Sequence, residues 1–275
     1  VINKMLRAQY VFAPEVWDKS ARQTSVDDFR ARGLYSAGGA NGMKKIPEGG
    51  EIKYTTLKES KEQIRVETIG EGISYTRQAF INADLGVFSI IPSAFVRQWA
   101  MLRGNLVWGL LTDNVKMSDG KGIFDATHGN LLTGASSALS EESLAAAKTA
   151  MMKQKDIAGQ IIRMVPRYLI VSPENEMMAK KLVPATTPVK FEDVNVYAGA
   201  FDVIVEQRLT DPKAWYLMAD PYAVDSLYYA YLEGNEGLRV DSTEEFKTDS
   251  MDYAVRGDFG AAAIDYRGSV KAAGK

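Results

Sequence analysis

One segment, residues 92–114, restricts the possible folds most, because its apolar side chains recur at the period of an α-helix. The apolar positions are Phe95, Trp99, Leu102, Leu106 and Leu110. Steps of four, three, four and four residues place these side chains on one helical face. Pro92 suits a first helical turn, where its missing N–H group costs nothing. The spacing predicts a helix of about 34 Å over residues 92–114, with Trp99 and Trp108 in the core.

Shorter elements of both types surround this helix. Ser140 is predicted to cap a helix whose first turn contains Glu141 and Glu142, and Ser172 followed by Pro173 predicts another helix start. Strands are predicted over residues 168–171, 201–205, 215–218, 226–232, 251–255 and 261–266. Because helices and strands do not alternate regularly along the chain, the predicted fold class is α+β.

A charged segment, residues 44–67, carries six basic and five acidic side chains. Apolar and polar residues alternate over 52–56 and again over 64–68, which predicts two strands joined by a turn at residues 57–61. The glycine-rich stretch 33–50 before them is predicted to be a loop. The apolar face of such a hairpin needs a cover, because an isolated hairpin is marginally stable in water.

Two interpretations of this hairpin remain open. It lies on a neighbouring subunit, or it folds as an edge hairpin on its own domain. If the first holds, deletion of residues 46–67 is expected to leave a folded core.

Composition excludes several classes of protein. The 33 Lys and Arg residues against 35 Asp and Glu residues give a net charge of -2, so the chain is not built chiefly to neutralise nucleic-acid phosphates. The absence of Cys excludes disulfides and thiolate-bound metals, and a single His excludes a two-His metal site. No apolar run reaches the roughly 18–20 residues that span a bilayer, so no membrane association is predicted.

Candidate chemistry is sparse. A Ser-His-Asp site would require His128 with Ser136 or Ser137 and with Asp125. Because no G-x-S-x-G motif surrounds these serines, we favour His128 as a loop residue that satisfies local backbone groups. The pair 119–120 is predicted to be a turn. We therefore predict no catalytic, cofactor-binding or metal-binding residue, which favours a structural or interaction protein over an enzyme.

Several phrases of the sequence, taken in order, resemble the major capsid protein of tailed bacteriophages, with Mu-like prophage head subunits as the closest likeness. They span residues 72–268 and are GISYTR at 72–77, FINADL at 80–85, GIFD at 122–125, HGNL at 128–131, PRYLIV at 166–171, WYL at 215–217, DFG at 258–260 and DYRG at 265–268.

The resemblance implies an HK97-like capsid fold, which is an α+β fold. In that fold, residues 1–32 form an N-terminal arm and residues 33–71 form an extended β-hairpin loop. The remaining ranges are a peripheral domain at 72–155 with a spine helix at 92–114, an axial domain at 156–235 and a return to the peripheral domain at 236–275.

The resemblance also implies a function. The chain is expected to self-assemble as pentamers and hexamers into an icosahedral head shell that encloses double-stranded DNA. Expected partners are further copies of the chain, a scaffold or prohead protease, a portal and, non-specifically, the packaged DNA; no cofactor is expected. The expected location is the virion, after assembly in the bacterial host cytoplasm. Val1 fits either removal of an N-terminal scaffolding segment by a head protease or a trimmed sequence.

Three alternatives remain at this stage. The first is an encapsulin-type nanocompartment shell protein, which shares the fold and encloses enzyme cargo. The second is an α+β hydrolase that uses His128. The third is a monomeric adhesin or binding module.

Overall fold

The computed structural model describes residues 15–37, 59–76, 78, 85–183, 199–245 and 249–274, with the backbone alone at 36–37, 59, 75 and 85–93. The helices are α1 (Leu85–Thr112), α2 (Glu141–Met152) and α3 (Glu176–Leu182). The strands are β1 (Arg22–Val26), β2 (Arg32–Ala37), β3 (Glu59–Ile64), β4 (Glu67–Thr76), β5 (Leu131–Leu132), β6 (Pro166–Val171), β7 (Asp202–Val205), β8 (Trp215–Ala219), β9 (Leu227–Leu232), β10 (Arg239–Glu245), β11 (Ser250–Ala263) and β12 (Ser269–Ala272). This mixture confirms the predicted α+β class.

The strands form two large sheets and one small one. In the first sheet the order is β1-β9-β11-β10, and β4 also pairs with β11. In the second the order is β5-β12-β8-β6-β7, while β2 and β3 form a separate antiparallel pair. Because β1 pairs in parallel with β9 and Trp17 is buried, the described half of the predicted arm is built into the first sheet.

The second sheet is buried on both faces. Tyr168 and Ile170 of β6 join the core that α1 forms with the first sheet. Leu169 and Val171, which alternate with them, join a second core beneath α2 and α3. Successive side chains of a strand point to opposite faces, so β6 carries an almost continuous apolar run, as expected of a fully buried strand.

The long helix α1 has 28 residues and begins at Leu85, seven residues before the predicted start. The prediction that Pro92 lies in the first turn is therefore wrong. An interior proline removes one helical hydrogen bond and costs about 3 kcal/mol, which packing of so long a helix can offset. The helix ends at Thr112, and Asn114 adopts a left-handed backbone with φ 50°.

The buried face of α1 is rotated from the predicted face. Trp99, Trp108 and Leu110 are buried as predicted, but Leu106 is 40% exposed. Besides these, the buried residues of the helix include Val96, Ala100, Arg103, Val107 and Leu111. Periodicity thus identified the helix and its tryptophans, while the angle of the buried face depends on where the sheet lies.

Strand β11 contradicts the prediction of separate strands at 251–255 and 261–266, because it runs through all 14 of its residues. Gly257 and Gly260 lie inside it, and here glycine permits close packing rather than a turn. A Cβ at residue 257 would lie 2.6 Å from the Trp99 ring, and one at residue 260 would overlap the carbonyl oxygen of Arg65.

The strands predicted over 168–171, 201–205, 215–218 and 226–232 are confirmed, whereas the strand predicted over 64–68 is wrong, because β3 ends at Ile64 and β4 begins at Glu67. The two predicted helix starts have different outcomes. At α2, the Ser140 hydroxyl accepts a hydrogen bond from the Ser143 N–H group, and the Ser143 hydroxyl accepts one from the Ser140 N–H group. Pro173 begins a 3₁₀ turn before α3, but the Ser172 hydroxyl does not cap it. Instead, that hydroxyl donates to the Pro212 carbonyl over 2.6 Å.

The cap of α2 gives a testable prediction. We expect Ser140→Ala to lower the free energy of unfolding by about 1 kcal/mol, because the Ser143 N–H group loses its acceptor. Urea unfolding followed by far-UV circular dichroism measures the change. Ser136→Ala, at an exposed position, is the matched control, and equal midpoints for the two variants would contradict the prediction.

Candidate assembly surface

The pair β2–β3 forms a short antiparallel stem. Its ladder runs from Arg32 opposite Ile64 to Ala37 opposite Glu59. Residues 38–58 therefore connect two chain ends that lie side by side at the end of the ladder. Tyr35 is 61% exposed on the stem, and the Lys61 ammonium lies 5.6 Å from the centre of its ring. The stem therefore fixes the point from which residues 38–58 extend.

The stem corrects two predictions and leaves a third untested. The predicted turn at residues 57–61 is wrong, because Glu59–Ile64 is a strand. The predicted loop at 33–50 is wrong where Arg32–Ala37 pairs with that strand. The predicted first strand at 52–56 lies outside the described residues. The two strands of the predicted hairpin were too close in sequence, since the partner of β3 is Arg32–Ala37, at the start of the glycine-rich stretch.

The root of the stem packs on its own chain. Ile64 and Val66 are 0% and 1% exposed and form a small core with Val26, Ala230, Ala262 and Ile264. The interpretation in which the whole charged hairpin finds its cover on a neighbour is therefore wrong for residues 64–66. Only the part beyond the ladder remains for a contact with another copy.

A carboxylate fixes the stem to the turn that follows α1. Glu62 accepts hydrogen bonds from the Ser118 N–H group over 3.0 Å and from the Ser118 hydroxyl over 2.5 Å. The turn itself is the one predicted at 119–120: the Gly120 N–H group donates to the Met117 carbonyl over 2.9 Å, and Gly120 has φ 80°. The stem is thus held at a defined position beside the long helix.

A second extended feature is the ribbon formed by β4, β10 and the first half of β11. Residues 250–256 of β11 pair with β4 on one side and with β10 on the other. Its outward face carries an ion-pair group in which Asp241 lies 3.4 Å from Arg239 and 3.6 Å from Arg256. All three side chains are about half exposed, so each pair contributes roughly 0–1 kcal/mol.

His128 is a structural residue. Its Nε2 atom lies 2.8 Å from Asp119 and its Nδ1 atom lies 3.2 Å from the Ile123 carbonyl. Its ring stacks on Tyr266 with the ring centres 3.7 Å apart. Both nitrogens are therefore engaged, as the interpretation of a loop residue bonded to local groups requires.

The other members of the candidate triad do not meet His128. Asp125 caps the short helix Ala126–His128, because its carboxylate accepts hydrogen bonds from the N–H group and the hydroxyl of Thr127. The Ser137 hydroxyl donates to the Gly134 carbonyl over 2.6 Å, and Ser136 is exposed. The arrangement that a serine hydrolase needs, a serine hydroxyl on the histidine ring, is not formed by these residues.

The pKa shifts match structural roles. Burial raises the pKa values of Tyr216 and Tyr229 to about 12, which keeps both phenols neutral. The hydroxyl and N–H group of Thr127 lower the pKa of Asp125. For Asp119, burial acts upward, but the Lys121 N–H group and the His128 ring outweigh it and lower the pKa. These shifts hold each group in its ordinary charge state.

The lowered pKa of Asp119 gives a prediction with a defined sign. A depressed carboxyl pKa adds stability above the unfolded value of about 3.9, and this is lost as the pH falls through the folded value. We expect the free energy of unfolding to fall less between pH 6 and pH 3 in Asp119→Asn than in the parent chain. Urea unfolding at both pH values tests this, and equal losses would contradict it.

Two further classes of site find no support in the described ranges. No group of three or more acidic or histidine side chains there is arranged to hold a metal ion. None of the helices described combines the length and apolar character that crossing a membrane requires. The contacts that position the stem were missed from the sequence, because Glu62 and Ser118 are 56 residues apart and form no motif.

Comparison with solved structures shows which proteins share this fold. The fold is similar to a structure from Mycobacterium phage Patience at 12% identity, with a TM-score of 0.62 over 98% of this chain and 87% of that chain. The capsid of Ralstonia phage GP4 matches at 10% identity, with a TM-score of 0.62 over 93% and 87% of the two chains. Mycobacterium phage Che8 matches at 13% identity, with a TM-score of 0.55 over 94% and 96%. The fold is that of phage capsid subunits.

The sequence agrees with this class. A family model described as phage capsid protein matches residues 59–272, and the chain belongs to this family. No curated protein sequence matches the chain. The predicted HK97-like fold and the resemblance to tailed-phage capsid proteins are confirmed, while the likeness to Mu-like prophages stays a prediction. The protein is a major capsid protein, many copies of which form the shell of the phage head, and its place is the virion capsid.

Proposed function

We propose that the chain assembles as pentamers and hexamers into an icosahedral head that encloses double-stranded DNA, with residues 38–58 as an intersubunit contact. The stem carries this proposal. Its root is fixed by Ile64, Val66 and Glu62, and its ladder closes at Ala37 and Glu59. Because the ladder is anchored at its root, it holds both ends of the charged residues 38–58 at a fixed position, from which they can contact a second copy.

The domain division follows the resemblance. We place the arm at 1–32, the extended loop at 33–71, the peripheral domain at 72–155, the axial domain at 156–235 and the return to the peripheral domain at 236–275. The third range contains α1, and the fourth contains β6, β7 and β8, which are neighbours in the second sheet. Two pairings cross the proposed boundary at residue 235, β9 with β11 and β8 with β12.

The remaining partners and roles rest on the family. We expect a scaffold or head protease, a portal and packaged DNA as partners, assembly in the host cytoplasm and no catalytic activity. The engagement of both His128 nitrogens supports a non-enzymatic role. Neither the nanocompartment, the hydrolase nor the monomeric binding module is favoured by the family match.

Electron microscopy of the purified full chain tests the proposal. We expect closed particles with fivefold and sixfold capsomers, and nuclease-protected DNA in particles from infected or induced cells. Particles that hold only protein cargo would favour the nanocompartment. A compact species of 30.3 kDa at micromolar concentration, with no particles, would overturn the proposal.

A further inference from the structure

The turn that follows α1, residues 115–123, is joined from its tip to its base by one side chain. At the base, the Ile123 N–H group donates to the Val115 carbonyl over 3.1 Å. The Nδ1 atom of His128 lies 3.2 Å from the Ile123 carbonyl at this base, and its Nε2 atom lies 2.8 Å from the Asp119 carboxylate at the tip. His128 therefore fixes the tip of the turn relative to its base.

The tip is the part of the turn that contacts the stem. Ser118, next to Asp119, donates two hydrogen bonds to Glu62 of β3, one from its N–H group over 3.0 Å and one from its hydroxyl over 2.5 Å. The other carboxylate oxygen of Asp119 accepts a hydrogen bond from the Lys121 N–H group over 2.9 Å, which closes the tip. A shift of Asp119 therefore moves the residue that holds the stem.

Both groups that the His128 ring contacts are acceptors. A carbonyl and an ionised carboxylate have no hydrogen to donate, so both hydrogen bonds form together only when both ring nitrogens carry a proton. The neutral ring has one N–H group, so it leaves a lone pair facing one of the two oxygens and loses its ion pair with Asp119. Because the side chain of His128 is 5% exposed, water has little access to replace the lost partner.

The charged and titratable groups around the ring come from four parts of the chain. They are Asp119 and Lys121 of the turn, Asp125 of the short helix, Asp265, Tyr266 and Arg267 before β12, and Lys61 and Glu62 of the stem. Arg267 is paired with Asp265 at 2.8 Å, and Gln154 approaches the His128 carbonyl with a neutral amide. The charge in direct contact with the ring is thus the carboxylate of Asp119, which attracts a positive ring.

A cavity of about 460 Å³ lies beside the contact between turn and stem. Its lining includes Lys61 and Glu62 of the stem, Ser118 and Asp119 of the turn, and Tyr266 and Arg267. The cavity leaves room for the stem and the tip of the turn to move apart once their contact weakens.

We propose that His128 is a pH-sensitive switch for the position of the stem. With two protons, the ring fixes the tip of the turn, and the Ser118–Glu62 contact holds the stem. With one proton, the ring releases the tip, and the stem moves more freely. Because histidine is the side chain that ordinarily changes charge between pH 5 and 8, the stem is held more firmly on the acid side of this range. The contacts lie within one copy, so the inference does not depend on the shell proposed above.

Hydrogen–deuterium exchange of the full chain, followed by mass spectrometry at pH 5.5 and pH 8.5, tests this inference. After correction for intrinsic exchange rates, we expect amide protection in residues 59–64 and 117–121 to be at least fivefold lower at pH 8.5. Residues 166–171, which form β6, should change by less than twofold. Equal protection of the stem at both pH values, or an equal loss in β6, would overturn the inference.

Two variants assign the response to the ring, which belongs to the single His of the sequence. His128→Gln removes the titrating group, so protection of the stem and the turn should agree within twofold at the two pH values. Asp119→Asn, at an exposed position, should have the same effect with less risk to folding, because an amide can offer the ring either an acceptor or a donor. A fivefold response that persists in either variant would contradict the switch.

Glu62→Ala is the matched control, because it breaks the contact with the stem and leaves His128 and Asp119 in place. In this variant residues 117–121 should keep their fivefold response. Residues 59–64 should lose it, with protection at pH 5.5 close to that of the parent chain at pH 8.5. If the turn also stops responding, the pH dependence originates at Glu62 and the inference is wrong.

Discussion

Trp99→Ala is expected to lower the free energy of unfolding by about 3–5 kcal/mol, the range for large aromatic residues truncated in a core. Trp99 is 5% exposed. Its ring meets the Phe259 ring edge-on at 6.2 Å and lies 5.7 Å from the Arg103 guanidinium. Gly257 leaves room for it in β11. Alanine removes the side chain that joins α1 to the first sheet, and urea unfolding by far-UV circular dichroism measures the loss.

Met101→Ala is the matched control for this prediction. Met101 lies two residues away on the same helix but is 57% exposed, so its truncation should change the free energy of unfolding by no more than about 0.5 kcal/mol. Both substitutions place alanine in a helix, so their difference reports burial and not helix propensity. If the two midpoints agree, the assignment of Trp99 to the core is wrong.

The local part of the fold could be predicted from the sequence. The period of α1, the burial of Trp99 and Trp108 and the Ser140 cap all depend on residues within a few positions of each other. The start of α1 could not be predicted, because an interior proline is tolerated only through packing that the sequence does not show. Gly257 similarly looks like the end of a strand until the Trp99 ring is seen against it.

The stem shows why pairing was harder to predict. Alternation over residues 64–68 reports that one face is apolar but not which strand lies beside it, and in β3 itself Ile64 is the one apolar residue. The partner, Arg32–Ala37, contains Gly33 and precedes more glycines, so it is typical of a loop when considered alone. The Cβ-free surface of Gly33 instead admits the Lys61 side chain.

The candidate assembly surface could be predicted in part from the sequence. A charged segment near residue 50 predicted an intersubunit element, and the family resemblance predicted the same role. The contact of His128 with Asp119 joins two predicted loop residues through a turn, and only the folded turn brings them to 2.8 Å. The anchor between Glu62 and Ser118 joins elements that no local pattern connects.

Replacement of residues 38–58 by a linker of about four Gly and Ser residues is expected to keep the fold and abolish closed shells. The ladder ends at Ala37 opposite Glu59, and neighbouring strands lie about 5 Å apart, so a short hairpin turn closes the gap. The replaced chain should unfold in urea within about 1 kcal/mol of the parent. Electron microscopy and sedimentation should show free subunits or open sheets instead of particles.

Deletion of residues 46–67 is the contrasting variant, and here the structure reverses the expectation from the sequence. This deletion removes Ile64 and Val66, which are almost wholly buried, together with the Glu62 anchor. Loss of two core aliphatic side chains costs about 2–5 kcal/mol each, against a typical total stability of about 5–15 kcal/mol. We therefore expect this chain to lose its cooperative unfolding transition and to be insoluble or strongly destabilised.

The two variants distinguish the role of residues 38–58 from the role of the root at Ile64 and Val66. If the linker chain unfolds as badly as the 46–67 deletion, residues 38–58 belong to the core of their own copy and the stem does not serve a neighbour. If the linker chain still closes normal shells, the intersubunit contact lies elsewhere, and the ribbon of β4, β10 and β11 becomes the next surface to test. Only a folded chain without shells agrees with a stem rooted in one copy by Ile64 and Val66 and completed by another.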